Sequence, residues 1–106
     1  MADMSIEELK IILTSWLNEG FTEGELSVEP QWYVLWQPDE LEEVNRDYQL
    51  KEYAPGFVTF GGNGGGELLL VNEICEVFYM PTIGMAPDAA IKVASSLEEF
   101  RGYMQQ

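Results

Sequence analysis

The chain has 106 residues, 46% of them hydrophobic, and nineteen acids against five bases give a net charge of −14. That length makes one domain with one core that needs no staples. The charge excludes nucleic acid and anionic membranes as partners and favours basic ones, while the absence of histidine removes most acid–base schemes at neutral pH and the commonest zinc ligand.

Ser5 with Glu8 three residues on makes a capping box, and Met4 and Leu9 sit where a hydrophobic staple would place them. Leu9, Ile12, Leu13, Trp16 and Leu17 form one apolar stripe at helical spacing. Gly20 is a natural C-cap, so the first helix is expected from about Ile6 to Leu17 or Glu19. The segment from Phe21 to Pro30 is acidic and turn-prone, with an alternating Glu25 to Glu29 that suits a short edge strand. Gln31 to Trp36 reads as a strand in which Trp32, Val34 and Trp36 share one face and Tyr33 and Leu35 the other. Two apolar faces predict a strand covered on both sides; an aromatic recognition patch is the competing reading.

Pro38 opens a short middle helix, with Asp39 and Glu40 complementing its dipole and Glu42 and Arg46 spaced as an i, i+4 pair. Leu41, Val44 and Tyr48 form its apolar side, and the helix has to end before Pro55. The acids Asp39, Glu40, Glu42 and Glu43 lack the alternating spacing and the glycine of a calcium loop, and no metal or other cofactor is expected.

The stretch from Glu52 to Met80 predicts a three-strand meander: Phe57 to Phe60, Leu68 to Val71 and Glu76 to Met80. Five glycines in the six positions Gly61 to Gly66 make the first turn. They open onto a strand rather than a helix, and no Lys-Ser or Lys-Thr pair follows, so they are not a phosphate loop. Glycine here supplies positive φ or lets another backbone approach closely. Cys75 is a small core or turn residue, with no histidine to activate it as a nucleophile. After a Pro- and Gly-punctuated loop, Ala89 to Ala94 suits a last strand, and Ser96 with Glu99 caps a final helix carrying Leu97, Phe100, Tyr103 and Met104. The fold class is α+β: a single mostly antiparallel sheet of about five or six strands with N-terminal, short middle and C-terminal helices packed against it.

The N-terminus carries acids where a signal peptide has bases, the one cysteine cannot form an internal disulfide, and no run of eighteen apolar residues appears. A reduced, cytoplasmic setting is expected. Between Glu19 and Glu52 ten acids meet two bases. That field steers association with a basic protein, or serves only solubility.

Leu35-Trp36, Glu40-Leu41, Asn45, Pro55-Gly56, the turn at Gly64 running into Gly65-Gly66-Glu67, Ala94 with Ser96, and Glu99-Phe100 follow one another in an order and spacing that resembles the SUKH superfamily. The likeness is to its SMI/KNR-type branch, bacterial immunity proteins related to a yeast cell-wall regulator, and it spans roughly Trp16 to Met104. Relative to that pattern the usual extra N-terminal helix is missing, which makes a homodimer that covers exposed apolar surface an expectation. The resemblance implies a single non-catalytic binding domain over residues 1–106, an immunity protein that occludes a basic partner such as a nuclease toxin. The expected contact surface is Glu23, Glu25, Glu29, Glu40, Glu43 and Asp47, with Trp32 or Tyr48 as an aromatic anchor. Trp36, Asn45, Gly56, Gly64, Gly65, Gly66, Glu67, Ser96 and Phe100 are the motif residues. The alternatives are a regulatory interaction module without a toxin, and a small-molecule site where Glu67 follows the bare backbone of the Gly-rich turn.

Overall fold

The periodic stripe of the first segment becomes α1, Ile6–Asn18, in a computed structural model that describes residues 6–104. Leu9, Leu13 and Trp16 are buried. The helix ends as a Schellman motif: the Gly20 N–H donates to the Leu17 carbonyl and the Phe21 N–H to that of Trp16, each at 3.0 Å. The cap at Ser5 and the Met4 half of the staple lie outside the described residues.

Six strands follow: β1 Glu23–Glu25, β2 Trp32–Leu35, β3 Val58–Gly62, β4 Glu67–Val71, β5 Val77–Pro81 and β6 Ile91–Ala94. They form one antiparallel sheet in chain order, β1-β2-β3-β4-β5-β6. Between β2 and β3 a 3₁₀ turn at Pro38–Glu40 leads into α2, Leu41–Asp47, and then α3, Leu50–Tyr53. The final helix is α4, Leu97–Met104. The architecture is α+β.

Residues directly opposite in an antiparallel ladder share a face, so the register defines two layers of core. On one face α1 and α4 cover Tyr33, Leu35, Leu69, Val71, Val77 and Ala94. The rings of Trp16, Phe60 and Phe100 close that layer, with Phe60 edge-on to Phe100 at 5.5 Å and to Trp16 at 6.1 Å between centroids. On the other face Leu50 and Ala54 lie over Leu68, Leu70 and Met80, with Met85, Ala89 and Ala90 of the following loop packed beside them. Leu68 to Val71 are all buried, which is why β4 is apolar at every position after Glu67.

Several expectations shift. The edge strand falls at Glu23–Glu25 rather than Glu25 to Glu29, because Leu26 turns inward and is buried. The middle helix breaks at Gln49, whose φ of 55° is left-handed, into α2 and α3. Glu42 pairs with Lys10 of α1 at 3.1 Å instead of Arg46. Gly61 and Gly62 belong to β3 and not to the turn. A Cβ on Gly61 would meet the Val34 carbonyl oxygen at 2.6 Å, so the close pairing of β2 on β3 requires a residue without a side chain.

Candidate functional site

The six acids of the expected contact surface fall in two stretches of the chain, β1 with the turn after it and the 3₁₀ turn with α2. Glu23 and Glu25 stand on β1, where Glu25 pairs with Trp32 and Glu23 with Val34 across the ladder. All four therefore share a face, at the end of the sheet that α3 and the loop after β5 leave open. Trp32 is 38% exposed, which corrects the expectation of a strand covered on both sides. Tyr33 and Leu35, pointing the other way, are buried. Glu29 is exposed in the turn joining β1 to β2.

The remaining acids, Glu40, Glu43 and Asp47, are spaced i, i+3, i+7 along the 3₁₀ turn and α2, and all are exposed. Glu40 also accepts the Gln37 N–H at 3.0 Å, which fixes the start of the helical segment. Asp47 and Tyr48 lie at the junction with α3, where they line an open groove of about 350 Å³ together with Gln49, Tyr53, Thr82 and Met85. Tyr48 is 37% and Tyr53 49% exposed. Tyr53 was not anticipated as a surface aromatic; its Glu-Tyr-Ala-Pro-Gly setting reads as turn, and nothing in that string shows which way the ring points.

The motif residues do structural work. Asn45 uses its whole amide: Nδ2 donates to the Leu41 carbonyl at 2.8 Å and the Thr59 carbonyl at 3.1 Å, and Oδ1 accepts the Thr59 N–H at 2.9 Å. It stands in for a strand. β2 pairs with β3 only at Gly61 and Gly62 before the chain leaves toward Pro38, so the Thr59 peptide groups on that edge need another partner. Trp36 donates Nε1–H to the Thr59 hydroxyl at 3.2 Å, and that hydroxyl donates to the Leu69 carbonyl at 2.8 Å. Thr59 is fully buried at a bulge in β3.

The Gly-rich turn is held from within. Asn63 Oδ1 accepts the N–H groups of Gly65 and Glu67, and Asn63 Nδ2 donates to the Glu67 carboxylate at 2.8 Å. Gly64 and Gly66 have φ of 73° and 104°. Glu67 is thus committed to the hairpin, and no observation favours a ligand there. The next turn repeats the device: Asn72 Oδ1 accepts from Ile74 and Glu76, and Asn72 Nδ2 donates to Glu76 at 2.8 Å, with Cys75 at φ 68° in the place of Gly66. Asn-x-x-x-Glu stands twice, nine residues apart, a signal the reading by apolar runs passed over. Gly56 turns the chain out of α3 at φ 90°. Ser96 Oγ accepts the Glu99 N–H, and the Glu99 carboxylate accepts from Ser95 rather than from Ser96, a capping box displaced by one residue. Phe100 is buried in the ring cluster.

Three of the five bases are spent in ion pairs, while Arg46 and Lys51 are exposed. Lys10 pairs with Glu42 and Glu7, Lys92 with Glu76, and Arg101 with Glu19. Hydrogen bonding to Arg101 holds the Glu19 carboxyl below the usual carboxylate range, and bonds from Lys92 and then Asn72 do the same to Glu76. Among the described residues, none of Glu23, Glu25, Glu29, Glu40, Glu43 and Asp47 forms an ion pair. Among the same residues, no three metal-ligating side chains gather to hold an ion, and no helix is long and apolar enough to cross a membrane. Comparison of the chain with protein-family models and with curated proteins found no match.

Proposed function

We propose that this chain is a non-catalytic protein-binding domain, an immunity protein that neutralises a basic partner such as a nuclease toxin by covering its substrate groove. One observation carries the reading: six exposed acids form no ion pair among the described residues, with exposed Trp32 on the face of Glu23 and Glu25 and exposed Tyr48 next to Asp47. Unneutralised carboxylates steer a basic surface toward the domain, and an aromatic ring supplies desolvated contact once it arrives. A nuclease groove is basic because it binds phosphates, so an acidic domain competes for it directly. The resemblance to the SUKH superfamily supports the same reading.

The test is a pull-down from lysate of the source organism at low and at moderate salt. The wild-type chain and a Glu40→Lys, Glu43→Lys double variant are run side by side. The wild type is expected to retain one basic protein that leaves as salt rises. The variant is expected to lose it while its circular dichroism is unchanged, and the retained protein's activity on nucleic acid should fall when the chain is added back. If the wild type retains nothing basic at either salt, the reading is overturned.

A further inference from the structure

Tyr48 and Tyr53 are five residues apart, which on one continuous helix would point them well away from each other. The left-handed Gln49 between α2 and α3 breaks that geometry and brings both rings to the same groove. A glutamine held at φ 55° is strained. It is fixed there by its neighbours: the Gln49 N–H donates to the Arg46 carbonyl, and the Gln49 carbonyl accepts from Tyr53, each at 3.0 Å. The opposite wall is fixed too, since the Thr82 N–H and hydroxyl both donate to the Gly66 carbonyl, at 2.9 and 3.1 Å.

The chemistry of the walls is one-sided. Among the described residues neither tyrosine hydroxyl is hydrogen-bonded within the chain, Asp47 has no ion-pair partner, and no lysine or arginine lines the groove. Two π faces and an unpaired carboxylate attract a cation. The groove is open to water, which favours a guanidinium over an ammonium. A guanidinium is planar, weakly hydrated, stacks on tyrosine and takes a carboxylate with two parallel N–H groups, whereas an ammonium keeps its water.

We infer that this groove is the anchoring pocket for an arginine side chain of the basic partner, with Tyr48 and Tyr53 stacking on the guanidinium and Asp47 accepting its hydrogen bonds. The inference rests on the protein-binding reading above and names the residue class that reading leaves open.

The experiment titrates ¹⁵N-labelled chain with N-acetyl-arginine amide, and separately with the neutral citrulline analogue, up to tens of millimolar while amide shifts are followed. Arginine amide is expected to move residues 47–53 and 82–85 saturably, and citrulline amide not to. Asp47→Asn and Tyr53→Ala are each expected to weaken the response by roughly three- to fivefold; both residues are exposed, so both variants keep the fold. Shifts scattered over all the acidic surface, or an equal response to citrulline, overturn the pocket, as does no response. The pull-down separates the two failures. If Tyr53→Ala and Asp47→Asn retain the basic partner as the wild type does while the charge-reversed variant loses it, the pocket fails and the partner reading stands. If the arginine amide binds as described but the wild type retains nothing basic, the partner reading fails and the pocket stands.

Discussion

Asn45 shows how much one side chain contributes when it replaces a strand. Its amide is the size and polarity of a peptide group, and it closes the edge of β3 where β2 has departed. Asn45→Ala leaves the Thr59 N–H and carbonyl without the partners Asn45 gives them, and a loss of about 2–3 kcal/mol in urea unfolding is expected. Asn45→Asp is expected to cost more, because it keeps the acceptor for Thr59 but sets a carboxylate against the Leu41 and Thr59 carbonyls. An Asn45→Ala variant as stable as wild type would remove the strand-mimic account. The same network explains why Trp36 is only half-buried yet placed with care: its indole N–H is the donor that a buried Thr59 hydroxyl accepts.

At the scale of elements, the meander is two hairpins with one closure. Each turn begins with an asparagine whose amide bonds the glutamate four residues on, and the second glutamate also reaches Lys92 of β6 at 2.8 Å. Glu76 therefore ties three strands. Its carboxyl is held below the usual range by Lys92 first and Asn72 second, so the unfolded chain binds more protons in that range than the folded one. The stability it contributes is complete above the ordinary carboxylate pKa and is lost as pH falls through the folded value. Lys92→Met should flatten, without abolishing, the acid limb of the urea midpoint against pH, since the Asn72 bond remains; an unchanged limb would show that the pair contributes nothing. Much of this level was legible in the chain itself. The stripe from Leu9 to Leu17 announced α1, and the runs at Leu68 and Glu76 announced β4 and β5, because burial imposes their periods. The break at Gln49 was not, since glutamine has no preference for a left-handed conformation. The strand character of Gly61 and Gly62 was hidden as well, because both pair with β2 and the role of Gly61 is set by the Val34 carbonyl of that earlier strand. The acids were visible, but not that they fall into two groups on separate elements.

For the whole molecule the charge is the main term. The domain measures 34 × 26 × 25 Å, and the Debye length falls from roughly 30 Å at about 0.01 M salt to roughly 8 Å at about 0.15 M. At the lower salt every acid feels every other across the fold, and the compact state pays for that crowding. The melting temperature is expected to rise with sodium chloride over this range. A fall would mean that the ion pairs of Lys10, Lys92 and Arg101 outweigh the repulsion.

The sheet is laid out in the order in which the chain is made, each strand beside the one before it. A nascent chain can therefore add strands one at a time as they emerge, with little entropy spent on closing long loops. The helices do not follow that rule. Phe100 of α4 closes the ring cluster on Trp16 of α1 and Phe60 of β3, and Arg101 reaches back to Glu19. Until α4 has been synthesised, the face that α1 begins to cover lacks Phe100, Leu97 and Met104, so apolar surface there stays open to other chains until that helix is made.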